Sequence, residues 1–449
     1  MALDLLGKKG VAMLLLGTTG LATSSHDYCE FCNFSAYLFV NRSVALYTCS
    51  PFLFPLCSSP ISRLIDGVCL SNSSCACDSP WTGLGCDMLD LSPISDKSLG
   101  YQPRVNGTNA SSWGGSVVLD DDGIWHMYTS EMNHSCGINV WLSNSFVRHA
   151  TSPDPLTVPF TINASQPFTV VASAFSHEPM ITKAPDGTFV LFFTAVFGQW
   201  NPPTKKGVCT GCSDGISPSS CGTDQDRNDT TDLPTYMIYS SSPWGPWSEP
   251  EMVPGTDVSV MCALMFVSRG GVRALTGHAC DMPCQVFADT NFAPIINANG
   301  SLVALTRQDV WFAEDWRNLS SYHMTTPKWQ DEGEDPSVWM DSRGVYHNVI
   351  HISRDETYGL HYWSLDGRVW TASQAGGKVY TSKVNFTDGT TRDFACRERP
   401  HMILNAGKTI IALTNGAAES SCHGYSSGTN DHSYTLLQGA AAAAETRSY

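Results

Sequence analysis

The chain has 449 residues, 42% of them hydrophobic, enough apolar material for a large core and too much for wholesale disorder. Charged residues make up only 15%, and 26 basic against 42 acidic side chains leave a net charge of −16. With no Lys/Arg cluster, that balance argues against nucleic acid or anionic lipid as a partner. No apolar run reaches the ~18–20 residues that span a bilayer.

Residues 1–25 pair Lys8 and Lys9 with an apolar stretch from Val11 to Leu16 and small residues at Ala22–Ser25. This is the pattern of a signal peptide, with a short membrane anchor as the alternative. Seventeen cysteines point the same way, because an oxidising compartment explains them without metal sites or catalysis. Eleven N-x-S/T sequons add to it: Asn33, Asn41, Asn72, Asn106, Asn109, Asn133, Asn163, Asn228, Asn299, Asn318 and Asn385. The expectation is a secreted, extracellular glycoprotein.

Eight cysteines crowd into the segment 26–95, where disulfides must stand in for a core. Cys49, Cys57, Cys69, Cys75, Cys77 and Cys86 follow the spacing C-x7-C-x11-C-x5-C-x-C-x8-C, ending in CACDSPWTGLGCD. That ending resembles an EGF-like module. The resemblance implies the pairs Cys49–Cys69, Cys57–Cys75 and Cys77–Cys86, although six cysteines allow fifteen connectivities. It also implies a possible contact with matrix or cell-surface protein. Cys29 and Cys32 lie outside the motif and are available to each other.

From 101 to 436 the texture changes to short alternating strands, and one pattern recurs five times. The copies are WGGSVVLDDDGIWHMYTS, HEPMITKAPDGTFVLFFTA, FAPIINANGSLVALTR, EDPSVWMDSRGVYHNVIH and ERPHMILNAGKTIIALTNG. Pro179, Pro294, Pro336 and Pro400 hold one equivalent place, with Gly115 there in the first copy. Gly123, Gly187, Gly300, Gly344 and Gly407 follow one strand later, as turn residues of a hairpin. Third strands follow in SFVRHATSPDP, YMIYSSSPWGPWSEP and HYWSLDGRVWTAS. Five such units predict an all-β, five-bladed β-propeller, with paired β-sandwiches as the alternative. The stretch around Cys209, Cys212 and Cys221 is an insert held by disulfides. Residues 437–449 form an Ala-rich tail: a short helix, a linker or an appended remnant.

The x-D/E-P openings HEPM and EDPSV, SPWGPW at 242–247 and HYWSLDGRVWT resemble the five-bladed propeller of glycoside hydrolase family 43 and its arabinanase/levansucrase relatives. The resemblance implies carbohydrate as the partner, and carboxylates from several blades meeting at one mouth of the central channel. Glycoside cleavage needs a proton donor on the leaving oxygen and a carboxylate opposite it. Where the family has its first-blade Asp, this chain has Gly114-Gly115. Acidic openings remain at Glu178, at Glu334-Asp335 and at Glu398, so Glu178, Asp335 and Glu398 are the candidate catalytic residues. Glu398 between Arg397 and Arg399 fits a base, a nucleophile or an ion pair, whereas Glu178 before an apolar strand fits an acid.

Trp113, His177, Asn291, Trp339, His347, Arg399 and His401 are candidate substrate contacts, with most tryptophans otherwise expected in blade packing. Trp339 lies four residues after Asp335, on the same face if no bulge intervenes. Trp244 and Trp247 are expected to pack outer strands, and Asp120, Asp121 and Asp122 to sit at a turn. No Walker loop, dinucleotide fingerprint, metal-binding H-E-x-x-H or nucleophile elbow is present, and no cofactor or metal is expected. The expected function is hydrolysis of an extracellular or cell-wall polysaccharide. The alternative is a glycan- or matrix-binding propeller without catalysis.

Overall fold

The computed structural model describes residues 63–69, 75–95, 100–105, 108–163, 173–197, 207–221, 233–256, 291–307, 309–326, 333–353, 355, 357–373, 377–420 and 430–441. It also gives the backbone of two short strands further upstream. Those two, Ala36–Val40 and Ser43–Tyr47, form a hairpin within a separate unit that ends at Pro55. The expected signal peptide, Cys29, Cys32, Cys49, Cys57 and the sequons at Asn33, Asn41, Asn72, Asn106 and Asn228 lie outside the described residues.

Five antiparallel sheets make the second unit a five-bladed propeller. The inner strands are Ser112–Leu119, Ser173–Lys183, Ala293–Ile296, Gly333–Met340 and Cys396–Leu404. Each touches the next and the fifth touches the first, so they ring a central channel. The expected hairpins form in every copy. The turn glycines Gly123, Gly187, Gly300 and Gly344 have φ between +81° and +88°, while in the fifth copy Lys408 (φ 62°) takes the left-handed place expected of Gly407. Asp120, Asp341 and Asn405 accept backbone N–H bonds in three of these turns, which specifies the turn locally.

Second strands such as Phe189–Phe197 (FVLFFTAVF) are buried along most of their length because both faces of a blade pack on neighbours. Val190 and Phe192 meet Phe292, Leu302 and Trp311 of blade 3, while Phe189, Leu191 and Phe193 meet Tyr128 and Val147 of blade 1. Trp247 packs on Tyr128, and Trp244 meets His126 and His149 edge-on, so SPWGPW joins blades 1 and 2.

Blade 5 is completed from the other end of the sequence. Gly100–Tyr101 pairs antiparallel with the last strand, Ser433–Gly439. Gly100 is required there: its φ is 112°, and a Cβ would come within 2.2 Å of the Thr435 carbonyl oxygen. Tyr101 is anchored by a 2.5 Å hydrogen bond to Glu131, itself paired with Arg148. The last strand runs past the expected boundary at 436, because TLLQG continues the blade before the alanines begin.

Disulfides hold the periphery. Cys209–Cys221 closes the insert of blade 2, and Cys136–Cys212 ties that insert to a loop of blade 1. Asp431, fully buried, adds side-chain bonds from the backbone N–H groups of Asn139 and Ser217. The expected pair Cys77–Cys86 is present. It lies in a small module with a three-stranded sheet (Arg63–Leu64, Gly67–Cys69, Cys75–Cys77) and a hairpin (Trp81–Thr82, Met88–Leu89). This module is no free spacer: Trp81 and Leu89 share a core with Trp339 and Val349 of blade 4 and Met402 and Leu413 of blade 5. Of the sequons within the described residues, Asn133, Asn299, Asn318 and Asn385 are exposed. No helix among the described residues is long and apolar enough to cross a membrane.

Candidate active site

The channel site is made by a repeated irregularity. In blades 1, 2, 4 and 5 the inner strand slips against its partner just before the proline position, between Trp113/Ser116, His177/Met180, Glu334/Ser337 and Glu398/His401. The residue at each slip is left-handed: Gly114 (φ 66°), Glu178 (56°), Asp335 (55°) and Arg399 (52°). Non-glycine residues seldom adopt this conformation, and such strain clusters where side chains must be aimed. Blade 3 has Ala293-Pro294 in unbroken register instead.

The side chains aimed this way converge. Nη1 of Arg399 lies 2.8 Å from Glu178 Oε1, 3.4 Å from Asp335 Oδ1 and 3.5 Å from Asn291 Oδ1. All four residues are buried. The glycine at the blade-1 slip has a physical cause here. A Cβ on Gly114 would stand 2.6 Å from Cδ and 2.8 Å from Nε of Arg399, so the arginine stem fills that space.

Each carboxylate is backed by a histidine. His177 stacks on Trp141, its Nδ1 lies 2.6 Å from Ser145 Oγ, and its Nε2 is 3.6 Å from Glu178. Burial, helped by the Arg399 charge, pushes its pKa well down, which leaves the ring neutral. His351 is the opposite case. Its Nδ1 is 3.2 Å from Asp335 and its Nε2 3.5 Å from Glu334. Burial disfavours its charge, but Asp335, Glu334 and Glu398 outweigh that and hold its pKa well above the usual value. Glu334 also meets Arg307 at 3.3 Å.

The sequence candidates therefore separate. Glu178, Asp335, Arg399, Asn291 and His177 share the site, and His401 lines the channel cavity beside Asp335 and Arg399. Burial pushes the pKa of His401 down to about 4. Glu398 is one residue off the bulge and sits behind it, with a carboxylate oxygen within 4.8 Å of donor atoms on Asp335 and His351. The two arginines that flank Glu398 divide their contacts. Arg397 turns away to Asn415 and the Thr381 carbonyl, while Arg399 turns to Glu178 and Asp335.

Three candidates lie elsewhere. Trp113 packs against Gly416, where a Cβ would stand 2.4 Å from its ring, and against Met132 and Cys396. Trp339 stacks on His347 at 5.2 Å in the core beneath the N-terminal module, because the bulge between Glu334 and Ser337 breaks the alternation that would have put it beside Asp335. His347 belongs to that same core-side cluster. These placements make all three packing groups rather than channel contacts. Sequence reasoning missed His351, whose signal is its place at the end of the fourth copy, paired across the sheet with Glu334.

Among the described residues, three groups of side chains bring potential metal donors within 4.8 Å: Cys136, Cys209 and Cys212; Asp335, His351 and Glu398; and Asp66, His347 and His361. The first is committed to disulfides.

Neither a protein-family profile nor a curated protein sequence matches the chain. Solved structures similar to it include an α-L-arabinofuranosidase from Podospora anserina in complex with cellotriose. That match is 10% identical over 79% of this chain and 98% of that one, with a TM-score of 0.48. The catalytic domain of the GH62 α-L-arabinofuranosidase of Coprinopsis cinerea is 12% identical over 78% and 97%, with a TM-score of 0.47. A family 117 glycoside hydrolase of Zobellia galactanivorans is 12% identical over 78% and 89%, with a TM-score of 0.42.

Proposed function

We propose that this protein is a secreted carbohydrate-active propeller that hydrolyses glycosidic bonds of an extracellular or cell-wall polysaccharide, with Glu178 and Asp335 as its working carboxylates. One observation carries the proposal. Carboxylates from non-adjacent blades 2 and 4, each on a left-handed bulge, reach the same guanidinium nitrogen. Their contacting oxygens are then no more than 6.2 Å apart, the sum of the two contacts to Arg399. Two carboxylates that close can both reach one glycosidic bond, as acid/base cleavage requires.

In this scheme Glu178 and Asp335 divide the roles of proton donor and opposing carboxylate, and Glu178, backed by a neutral His177, can hold a proton only once Arg399 has moved off it. His351 and Glu398 set the charge behind Asp335. Arg399 holds the pair apart from solvent and yields its position to the sugar. The disulfides support an oxidising, extracellular home, and the exposed sequons are available to glycosylation.

The test is release of reducing sugar from a polysaccharide panel by the full-length protein, with Glu178→Gln and Asp335→Asn alongside. Either variant should lose about 10²–10⁴ of the rate. No release from any substrate, or release unchanged in both variants, rejects this site.

A second reading rests on Gly114. A propeller without a blade-1 carboxylate, its other two clamped by an arginine, fits a lectin-like receptor that binds glycan and leaves it intact. Glycan-array binding with no cleavage on long incubation favours it.

A further inference from the structure

Away from the channel, the seam between the N-terminal module and blade 4 holds three buried side chains from three separate segments. Asp66 comes from the turn between the first two strands of the module, His347 from Tyr346–Ile352 and His361 from Gly359–Ser364. Nδ1 of His347 is 3.0 Å from Nε2 of His361 and 3.8 Å from Oδ1 of Asp66; Oδ2 of Asp66 is 3.6 Å from Nδ1 of His361. That second carboxylate oxygen is buried and makes no hydrogen bond among the described residues. Among the described residues the cation paired with Asp66 is Arg343, which stands 3.6 Å from Oδ1, is half exposed, and is shared with Asp78 and Asp341.

We propose that Asp66, His347 and His361 form a binding site for a zinc-class divalent cation that fastens the N-terminal module to blade 4. Two imidazole nitrogens and one carboxylate oxygen are the donor set that zinc takes, with a fourth position left to water. Donors at about 2.1 Å from one ion lie about 3–3.5 Å from each other in a tetrahedron; here the two facing imidazole nitrogens are 3.0 Å apart, Nδ1 of His347 is 3.8 Å from Asp66 Oδ1, and one donor atom from each of the three residues lies within 4.8 Å of the others.

The outer partners are also in place. Asp341 Oδ2 faces the other nitrogen of His347 at 3.4 Å, and Ser373 Oγ faces Nδ1 of His361 at 2.8 Å. Such partners fix which ring nitrogen points inward and raise ligand basicity. The ion takes the place of the proton between the two imidazoles, and its charge answers the buried Asp66 carboxylate.

Blade 1 supplies a control within the same molecule. Asp120, His126 and His149 repeat the Asp–His–His chain at 3.0 and 2.8 Å, but the ring of Trp244 meets both histidines edge-on and, among the described residues, this chain does not belong to any group of metal donors.

The experiment uses the full-length protein from a secretory host, stripped with a chelator and titrated with Zn²⁺ by calorimetry and with Co²⁺ by absorption. One equivalent should bind, with the visible bands of tetrahedral cobalt, and zinc should raise the melting temperature. Asp66→Asn, which keeps the shape, should weaken zinc by more than the roughly 10–100-fold that an outer-partner change such as Asp341→Asn costs. His149→Gln in blade 1 should leave affinity unchanged. Absence of zinc and cobalt binding by the unaltered protein overturns the proposal, as does binding that Asp66→Asn leaves intact. Should Asp66→Asn fail to fold, the cobalt spectrum of the unaltered protein decides alone.

Discussion

Blades 1 and 4 share a hydrogen-bonded chain and part company at the positions that face something else. In both, an Asp at the first hairpin turn meets a His six residues on, which meets a His on the third strand. The third-strand His stands opposite the residue two after the second-strand His in each case: His149 opposite Tyr128, His361 opposite Val349. At the channel, blade 1 offers Gly114 where blade 4 offers Asp335. At the outer end, blade 1 meets Trp244 of blade 2, and blade 4 meets Asp66 of the N-terminal module. The shared part is scaffold, and what is specific to each blade sits where the copies differ.

Exchanging the channel residues separates function from fold. Asp335→Gly gives blade 4 the residue of blade 1. It should cost about 10²–10⁴ in hydrolysis and also lower the melting temperature, since Arg399 and His351 lose a buried partner, an effect that relief of the left-handed conformation offsets only in part. Hydrolysis that falls no further than the folded fraction would mean that Asp335 is a structural ion pair alone.

The reverse exchange, Gly114→Asp, should destabilise by about 2–3 kcal/mol through overlap with the Arg399 stem and backbone strain. Combined with Arg399→Ala, most of the overlap cost should disappear in a double-mutant cycle of denaturant unfolding. Simple additivity would show that Arg399 is not what excludes a side chain there.

Breaking the shared chain is a smaller perturbation. His126→Gln and His347→Gln should each cost about 1–3 kcal/mol in metal-free protein, since each strips partners from buried polar groups. Unequal costs in denaturant unfolding would show that the Asp66 side already contributes without metal.

The gentlest probe is pH. Burial holds His149 down to about 3 in the folded protein, against about 6.5 unfolded. The unfolded chain therefore takes up the proton first as pH falls. The contribution of a neutral His149 is complete above about pH 6.5 and drains away towards pH 3. The melting temperature should decline over that window, and His149→Gln should make the decline shallower. An unchanged slope would locate the effect in other buried histidines such as His401.

Much of this architecture is legible in the sequence. The interval from each proline position to the turn residue gives the hairpins, and their fivefold recurrence gives the propeller. The site is legible only to within one residue. Glu398 looks acidic and well placed, but the bulge rotates Arg399 into the channel and leaves Glu398 behind it. The same bulge in blade 4 sends Trp339 to the core. Alternation with period two fails where a strand carries an extra residue, and no composition signal marks that residue before its φ is known. The Asp-x5-His spacing of 120–126 and 341–347 was visible, but its partners His149 and His361 need strand pairing to identify them. The approach of Asp66 needs the docking of a separate module.

The closure of blade 5 orders events during synthesis. Its outermost strand, Gly100–Tyr101, is made before every other strand of the propeller, and its partner Ser433–Gly439 after all of them. Until the last strand is made, Gly100–Tyr101 has no partner and blade 5 stays incomplete. The Glu178–Arg399–Asp335 cluster depends on that closure, since Arg399 belongs to the blade finished last. A chain that stops before residue 433 therefore lacks the partner of Gly100–Tyr101 and leaves blade 5 without its third strand.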